Sequence, residues 1–234
     1  WDPATDELLV SNYDVNNFMT MRPSNKRHLQ SAARLPMRAE VPVVGMVSRL
    51  AWQKGLDMAL PALRRLMLDT DVQFIVLGTG DADMEAQIRL LERDFSWKVR
   101  AFLQYDGALA QAIYAGSDIF LMPSHFEPCG MGQLIAMRYG ALPLVRETGG
   151  LADTVENYDN DQAAAGTGFV FQWEEASAVE GTLRWAINTY NERPDAWQTM
   201  QRRAMQADYS WDASAQRYIE LFEKALSKHA KERA

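Results

Sequence analysis

The sequence predicts an α/β protein built on a doubly wound parallel sheet, and three observations support this. Short apolar runs alternate with segments of helical periodicity from about residue 41 to residue 171, which is typical of repeated strand–helix units. Residues 119–122 form an apolar run without alternation, which indicates a strand buried on both faces. The 14 glycines lie mainly where a strand ends and a helix begins, the edge at which such sheets bind ligands.

Taken in order, the elements follow from this alternation. The predicted strands are residues 41–48, 72–77, 99–103, 119–122, 141–145 and 168–171. The predicted helices between them are residues 55–68, 84–94, 109–115, 131–139 and 150–158. From residue 175 the chain is predicted to be helical, divided into three pieces by Pro194 and by residues 209–212.

The chain is predicted to have three parts. Residues 1–41 are rich in turn-forming residues, with a short helix expected near residues 26–33, and we interpret them as a lead-in segment packed on the next domain. Residues 42–208 form the Rossmann-like domain, and residues 209–234 form a C-terminal helix with an apolar stripe. Because the chain begins at Trp1 without an initiator methionine, we expect a fragment or a processed product.

Composition excludes several classes of function. The net charge of -7 argues against non-specific nucleic-acid binding, which requires a basic surface. No apolar run approaches the roughly 20 residues of a membrane span, so we expect no membrane partner. Cys129 is the only cysteine in the sequence, which excludes an internal disulfide framework and fits a reducing compartment. The three histidines are scattered, and we expect neither a metal site nor a cofactor.

The stretch from Pro123 to Gln133 organises the predicted site. It follows the strand at residues 119–122 and contains Glu127, a second proline, the thiol and two glycines before a helix begins. Free N–H groups at a helix start can hold an anion, and a carboxylate beside them can accept hydrogen bonds from hydroxyl groups. An anion together with a polyol indicates a sugar phosphate or a nucleotide sugar. A lone glutamate in a loop is more often simply solvated, so neighbouring junctions must support the interpretation.

The junction after the first strand supplies two cations, Arg49 and Lys54. A planar guanidinium and a mobile ammonium together suit a diphosphate. Solvated loop cations are an equally good explanation in isolation. Trp52 between them is more consistent with packing than with chemistry.

Two further junctions are predicted at the same edge of the sheet. Thr148, Gly149 and Gly150 follow the fifth strand, where they allow a phosphate to approach the backbone or form an ordinary helix-start turn. Tyr105 follows the third strand and could stack on a nucleobase or pack against the protein. Together the junctions predict cations, donor loops, a carboxylate and an aromatic ring along one edge.

Four motifs follow one another along the chain. They are Ser48-Arg49-Leu50 with Trp52-Gln53-Lys54-Gly55, Pro123-Ser124 with Phe126-Glu127-Pro128-Cys129-Gly130, Tyr139-Gly140 with Leu142-Pro143, and Thr148-Gly149-Gly150-Leu151 with Asp153-Thr154-Val155. These motifs resemble those of the glycogen and starch synthases that use ADP-glucose, which are retaining glycosyltransferases of the GT-B fold. The resemblance extends over essentially the whole chain.

The resemblance implies roles for the charged residues. Arg49 and Lys54 would bind the donor diphosphate and neutralise charge as ADP leaves, so that no metal is implied. Glu127 would hold the hydroxyls of the donor glucose and stabilise positive character developing at the sugar. These three residues are the implied catalytic residues.

The resemblance also places the remaining donor-binding residues. Backbone donors at Gly130 and Met131 would face the sugar and phosphate, and residues 148–150 would line the phosphate pocket. Tyr105 would stack on adenine. Cys129 would lie beside the sugar without acting as a nucleophile.

Two positions depart from the family pattern. Gly132 stands where bacterial synthases usually have threonine and plant synthases asparagine, so a side-chain contact to phosphate is lost while the N–H remains. Ile135 stands where related retaining transferases have a second glutamate, which synthases of this family also commonly lack.

By this resemblance the chain is the C-terminal, donor-binding half of a GT-B enzyme. The Lys-x-Gly-Gly motif of the N-terminal half does not occur in the sequence, and the α-glucan acceptor would be bound mainly by that half. The helix at residues 209–234 would cross to it. We expect the chain to bind ADP-glucose or ADP without transferring glucose alone, in a bacterial cytoplasm or, less favoured, a plastid stroma. Two alternatives stay open: a non-catalytic nucleotide-sugar-binding or regulatory module, and a GT-B transferase that uses UDP- or GDP-sugars.

Overall fold

The computed structural model describes residues 1–160 and 165–232, which form six strands and nine α-helices. The strands are β1 (Val43–Val47), β2 (Gln73–Leu77), β3 (Val99–Phe102), β4 (Ile119–Met122), β5 (Leu142–Arg146) and β6 (Phe169–Phe171). The helices are α1 (Phe18–Ala32), α2 (Leu56–Asp69), α3 (Ala82–Asp94), α4 (Gly107–Gly116), α5 (Gly132–Arg138), α6 (Gly149–Thr154), α7 (Ala176–Glu192), α8 (Pro194–Gln206) and α9 (Trp211–Glu232).

The strands pair in parallel in the order β3-β2-β1-β4-β5-β6. The chain moves outward from β1 to β3 and then returns to the other side of β1 with β4. The order therefore reverses between β1 and β4, where the loops leaving the two strands diverge and open a crevice. The predicted doubly wound, Rossmann-like sheet is confirmed.

Helices cover both faces of the sheet because successive strand residues point to opposite sides. Val44 and Met46 of β1 belong to the core that includes α2 and α7, whereas Val43 belongs to the core that includes α1 and α4. Both faces of the central strands are apolar for this reason. The two cores fix the strand ends, and the strand ends in turn fix the loops of the site.

Two elements differ from the predicted bounds by more than two residues at one end. Helix α1 is longer than the helix expected near residues 26–33 and contains Pro23, whose ring would normally favour a helix start. Its packing on α4 and its buried residues, which include Phe18 and Leu29, outweigh that local preference. Helix α6 ends at Thr154 rather than near Tyr158, because the Tyr158 N–H pairs with the Gly168 carbonyl at 2.9 Å.

The last helix, α9, leaves the body of the domain with its apolar side chains exposed to solvent. Those side chains include Trp211, Tyr218, Phe222 and Leu226. Within residues 1–160 and 165–232, the structure contains no helix with the length and apolar character needed to cross a membrane. Residues 233 and 234 of the predicted 209–234 segment lie outside the described residues.

Candidate functional site

A cavity of about 730 Å³ opens at the carboxyl ends of β1 to β4, over the point where the strand order reverses. Its volume is in the range of sites that hold small molecules and cofactors. Residues from four strand–helix junctions line it. The residues that line it include Arg49, Lys54, Tyr105, Tyr114, Ser124, Glu127, Gly130, Met131 and Gly132.

Opposite charges meet in this cavity at Lys54 and Glu127. The ammonium Nζ lies 2.5 Å from carboxylate Oε2, and the two side chains are only 18% and 10% exposed. Ser124 Oγ lies 3.4 Å from the same oxygen. Lys54 ends a short 3₁₀ turn, residues 52–54, whereas Glu127 lies in the loop after β4, so the contact joins the two loops at the crevice.

Close backbone packing fixes the relative position of these two loops. Gly55 has φ +71° and lies so near the loop after β4 that a Cβ would sit 1.9 Å from the Pro123 carbonyl oxygen. Any side chain at this position would push the loops apart. The His125 N–H donates to the Gln53 carbonyl at 2.9 Å, and the Gln53 amide donates to the Phe126 carbonyl at 3.2 Å.

Other predicted donor-binding residues lie around the same cavity. Arg49 is exposed on its wall and donates to the Gln53 side chain at 3.3 Å. Tyr105 is 96% exposed at its rim, where its ring has no packing role. Met131 is also exposed. At Gly132 a Cβ would lie 3.2 Å from both Met122 Sδ and Phe120 Cε1, so a larger residue would displace them.

The loop after β5, residues 147–150, packs behind the loop that carries Glu127 and does not line the cavity. Thr148, Gly149, Gly150 and Cys129 are not among the residues that line the cavity. Instead the Gly150 N–H donates to the Glu127 carbonyl at 3.0 Å, and a Cβ on Gly150 would lie 1.9 Å from the Cys129 carbonyl oxygen. This loop therefore supports the Glu127 loop from behind, and its predicted phosphate contact stays a prediction.

Several residues that support the site were missed from the sequence. Arg146, at the end of β5, donates from Nε to the Ser124 carbonyl at 2.9 Å. Its position as a charged residue ending a buried strand is the signal that could have identified it. His125 stacks on Trp52, with ring centroids 4.2 Å apart, so Trp52 does pack as expected, although its partner was not predicted.

The apolar wall of the cavity includes Tyr114 of α4. Its ring stacks on Phe120 with centroids 4.7 Å apart. Burial raises the pKa of Tyr114 to about 12, so the phenol stays protonated at neutral pH. The acidic and basic side chains that line the cavity are Arg49, Lys54, Asp106 and Glu127. Over the described parts of the chain, no three His, Cys, Asp or Glu side chains are grouped to hold a metal ion.

Comparison with known proteins identifies the family. The family described as glycosyl transferases group 1 matches residues 30–203. The chain belongs to this family. It is 46% identical over 228 residues to a glycogen synthase of Thermotoga petrophila, covering 97% of this chain and 46% of that protein. A glycogen synthase of Desulforudis audaxviator is 45% identical over 233 residues, covering 100% of this chain and 46% of its own length.

Solved structures agree with this placement among the group 1 glycosyl transferases. The catalytic domain of Arabidopsis thaliana starch synthase IV, bound to ADP and acarbose, superposes with a TM-score of 0.84 at 35% identity, covering 97% of this chain and 47% of that chain. Anabaena HepE in complex with UDP and glucose gives 0.64 at 21% identity, covering 91% and 55%, and shows the fold alone. The predicted resemblance to glycogen and starch synthases is confirmed, and the chain spans about half the length of those glycogen synthases.

Proposed function

We propose that this chain is the donor-binding domain of a retaining glycosyltransferase that transfers glucose from ADP-glucose to the non-reducing end of an α-1,4-glucan. The observation that carries the proposal is the meeting of Lys54 and Glu127, at 2.5 Å, in a cavity at the switch point of the sheet. The similarity to glycogen synthases over 97% to 100% of the chain supports the choice of reaction.

The charges around the cavity suit this reaction. Arg49 and Lys54 bind the diphosphate of the donor and neutralise negative charge as ADP departs. Glu127 accepts hydrogen bonds from hydroxyls of the glucose and stabilises positive character at the anomeric carbon. Because the side chains of Lys54 and Glu127 are partly buried in the cavity, their charges act more strongly than they would in water.

The remaining contacts with the donor are proposed from the rim and loops of the cavity. Tyr105 stacks on adenine, which its exposed ring at the rim permits. Backbone N–H groups of Gly130 and Met131 face the sugar and phosphate, and Cys129 lies beside the sugar. The loop at residues 148–150 completes the phosphate pocket.

The rest of the enzyme is also a proposal. The chain spans 46% of the length of the glycogen synthases compared above, which is consistent with one half of a two-domain GT-B enzyme. The other half would supply most contacts with the glucan, and α9, which makes up most of the 209–234 segment, would pack against that half. We expect the chain alone to bind ADP but not to transfer glucose, and the bacterial relatives favour a cytoplasmic location.

Calorimetric titration of ADP into the 234-residue chain tests the proposal. We expect a dissociation constant of about 1 mM or lower, and at least about tenfold weaker binding in Lys54→Ala, since a charge-assisted contact is lost. Lys228→Ala removes the same charge from exposed helix α9 and should leave ADP affinity unchanged. Competition with UDP distinguishes a site for ADP-glucose from a site for a UDP-sugar, because the nucleotide of the true donor should bind more tightly.

Three results would contradict the proposal. ADP affinity that is equal in wild type and Lys54→Ala would place the nucleotide elsewhere. Tighter binding of UDP than of ADP would favour the alternative donor. Incorporation of glucose into glycogen by the purified 234-residue chain would show that the second half is not required.

A further inference from the structure

His125 lies two residues before Glu127 but on the side of the loop that faces away from the cavity. Its side chain is only 8% exposed, and it is not among the residues that line the cavity. One face of the imidazole stacks on Trp52, with an interplanar angle of 12°. The stacked ring therefore ties the loop that carries Glu127 to the 3₁₀ turn that carries Lys54.

Both ring nitrogens of His125 face carboxylates from other elements. Nε2 lies 2.9 Å from Oδ1 of Asp57, in the first turn of α2, and Nδ1 lies 3.4 Å from Oε2 of Glu174, just before α7. Arg146 is a further charged neighbour and lies 3.0 Å from the other oxygen of Glu174. Each ring nitrogen thus has a carboxylate oxygen within hydrogen-bonding distance, so the ring links the loop after β4 to α2 and to the segment before α7.

This bridge reaches Glu127 along a short path of backbone. His125 and Glu127 are separated by Phe126, whose carbonyl accepts from the Gln53 amide at 3.2 Å. Arg146 donates to the Ser124 carbonyl at 2.9 Å and also to the His125 carbonyl. The backbone on each side of the His125 ring is thus held, and the ring fixes how the loop sits against α2.

We propose that His125 is a positioning residue for Glu127: by bridging Asp57 and Glu174 it sets the carboxylate of Glu127 at the place where the donor sugar binds. The inference rests on the proposed function, since it assigns the sugar to Glu127. His125 touches neither the sugar nor the nucleotide. Its removal therefore weakens binding of the sugar part of the donor and leaves binding of the nucleotide part intact.

The test compares ADP and ADP-glucose affinities by calorimetry in the 234-residue chain. His125→Phe keeps a ring to stack on Trp52 but has no donor for Asp57 and Glu174. We expect ADP affinity within about twofold of wild type and ADP-glucose affinity about tenfold weaker, so that the affinity ratio falls about tenfold. Asp57→Asn, which replaces a side chain that is 37% exposed, should lower the ratio in the same direction by a smaller factor.

The matched control is His28→Phe, the same change at an exposed histidine of α1, which should leave the ratio unchanged. A merely structural role for His125 predicts lower thermal stability with an unchanged ratio at a temperature where the variant is folded, and that result overturns the proposal. An unchanged ratio in Asp57→Asn overturns it if His125→Phe fails to fold. If wild type binds neither nucleotide, the proposed function itself fails and takes this inference with it.

Discussion

At the level of single residues, the Lys54–Glu127 ion pair is the contact that a donor bound as proposed must change. In the proposed function, the diphosphate of the donor requires the ammonium of Lys54, and the sugar hydroxyls require the carboxylate of Glu127. The carboxylate therefore competes with the diphosphate for Lys54 and also repels it. Because both side chains are largely buried, this competition is screened less than at the surface.

Glu127→Gln is accordingly expected to tighten ADP binding while removing catalysis. Loss of the negative charge frees Lys54, and we expect ADP affinity to rise about threefold or more. Glucose transfer by the proposed two-domain enzyme should fall at least about 100-fold, because stabilisation of the charged sugar is lost. Calorimetry and incorporation of labelled glucose into glycogen measure the two effects. Glu192→Gln, an exposed change on α7, serves as control, and weaker ADP binding in Glu127→Gln would contradict the expectation.

The residues that could be predicted from the sequence are those whose position follows from a strand end. Arg49 and Lys54 follow β1 and Glu127 follows β4, so the parallel sheet alone brings them to one edge. His125 and Asp57 are 68 positions apart and meet only because α2 begins where the loop after β4 passes. Strand order and loop packing decide that contact, and local sequence carries no signal for either.

At the level of elements, α1 shows how tertiary contacts extend a helix beyond its local preference. Lys26 of α1 lies 2.7 Å from Asp118, which precedes β4 and also accepts from the Val43 N–H at 2.8 Å. Arg22 lies 3.7 Å from the same carboxylate. Burial alone would lower the pKa of Lys26, but the charge of Asp118, the Tyr190 phenol and the hydrogen bonds to both together outweigh burial and raise that pKa above its usual value. Because the prediction for residues 1–41 rested on turn-forming residues, it could not foresee that this buried ion-pair network extends α1.

Asp118→Asn is expected to destabilise the chain strongly. The Asp118 side chain is 6% exposed, so its neutralisation leaves Arg22 and Lys26 buried without a counter-ion, which costs about 3–5 kcal/mol. The matched change is Asp71→Asn at an ion pair with Arg38, where the aspartate side chain is 54% exposed and the loss of stability should be several times smaller because solvent screens the pair. Urea denaturation of the 234-residue chain measures both, and equal losses would show that the Asp118 network contributes little.

At the level of the whole molecule, the order of the parallel strands creates the cavity of the candidate site. The fold could be predicted from the sequence because apolar strands and glycine-rich junctions repeat regularly, and few sheet topologies are compatible with that pattern. The pairing of β1 with β4, which creates the crevice, is a property of the complete sheet. The place of α9 is different again, because its spacing predicts a helix with an apolar stripe but does not identify the surface that covers the stripe.

That stripe leads to a prediction for the isolated chain. Tyr218, Phe222 and Leu226 repeat at four-residue intervals on one side of α9 and are 59%, 62% and 70% exposed, so we expect concentration-dependent self-association by burial of these side chains. Phe222→Glu should shift the chain to monomer in analytical ultracentrifugation at about 100 μM, where charge opposes burial of the stripe.

Ser227→Glu is the matched control. Ser227 lies about 140° around the helix from Phe222, so this substitution adds the same charge outside the stripe. It should leave self-association unchanged. If the proposed second half covers α9 in the full-length protein, Phe222→Glu will also weaken contact between the halves and lower glucose transfer, while ADP binding by the 234-residue chain stays at its wild-type level. A wild-type chain that is monomeric at this concentration would instead show that the exposed stripe is too small to hold two copies together.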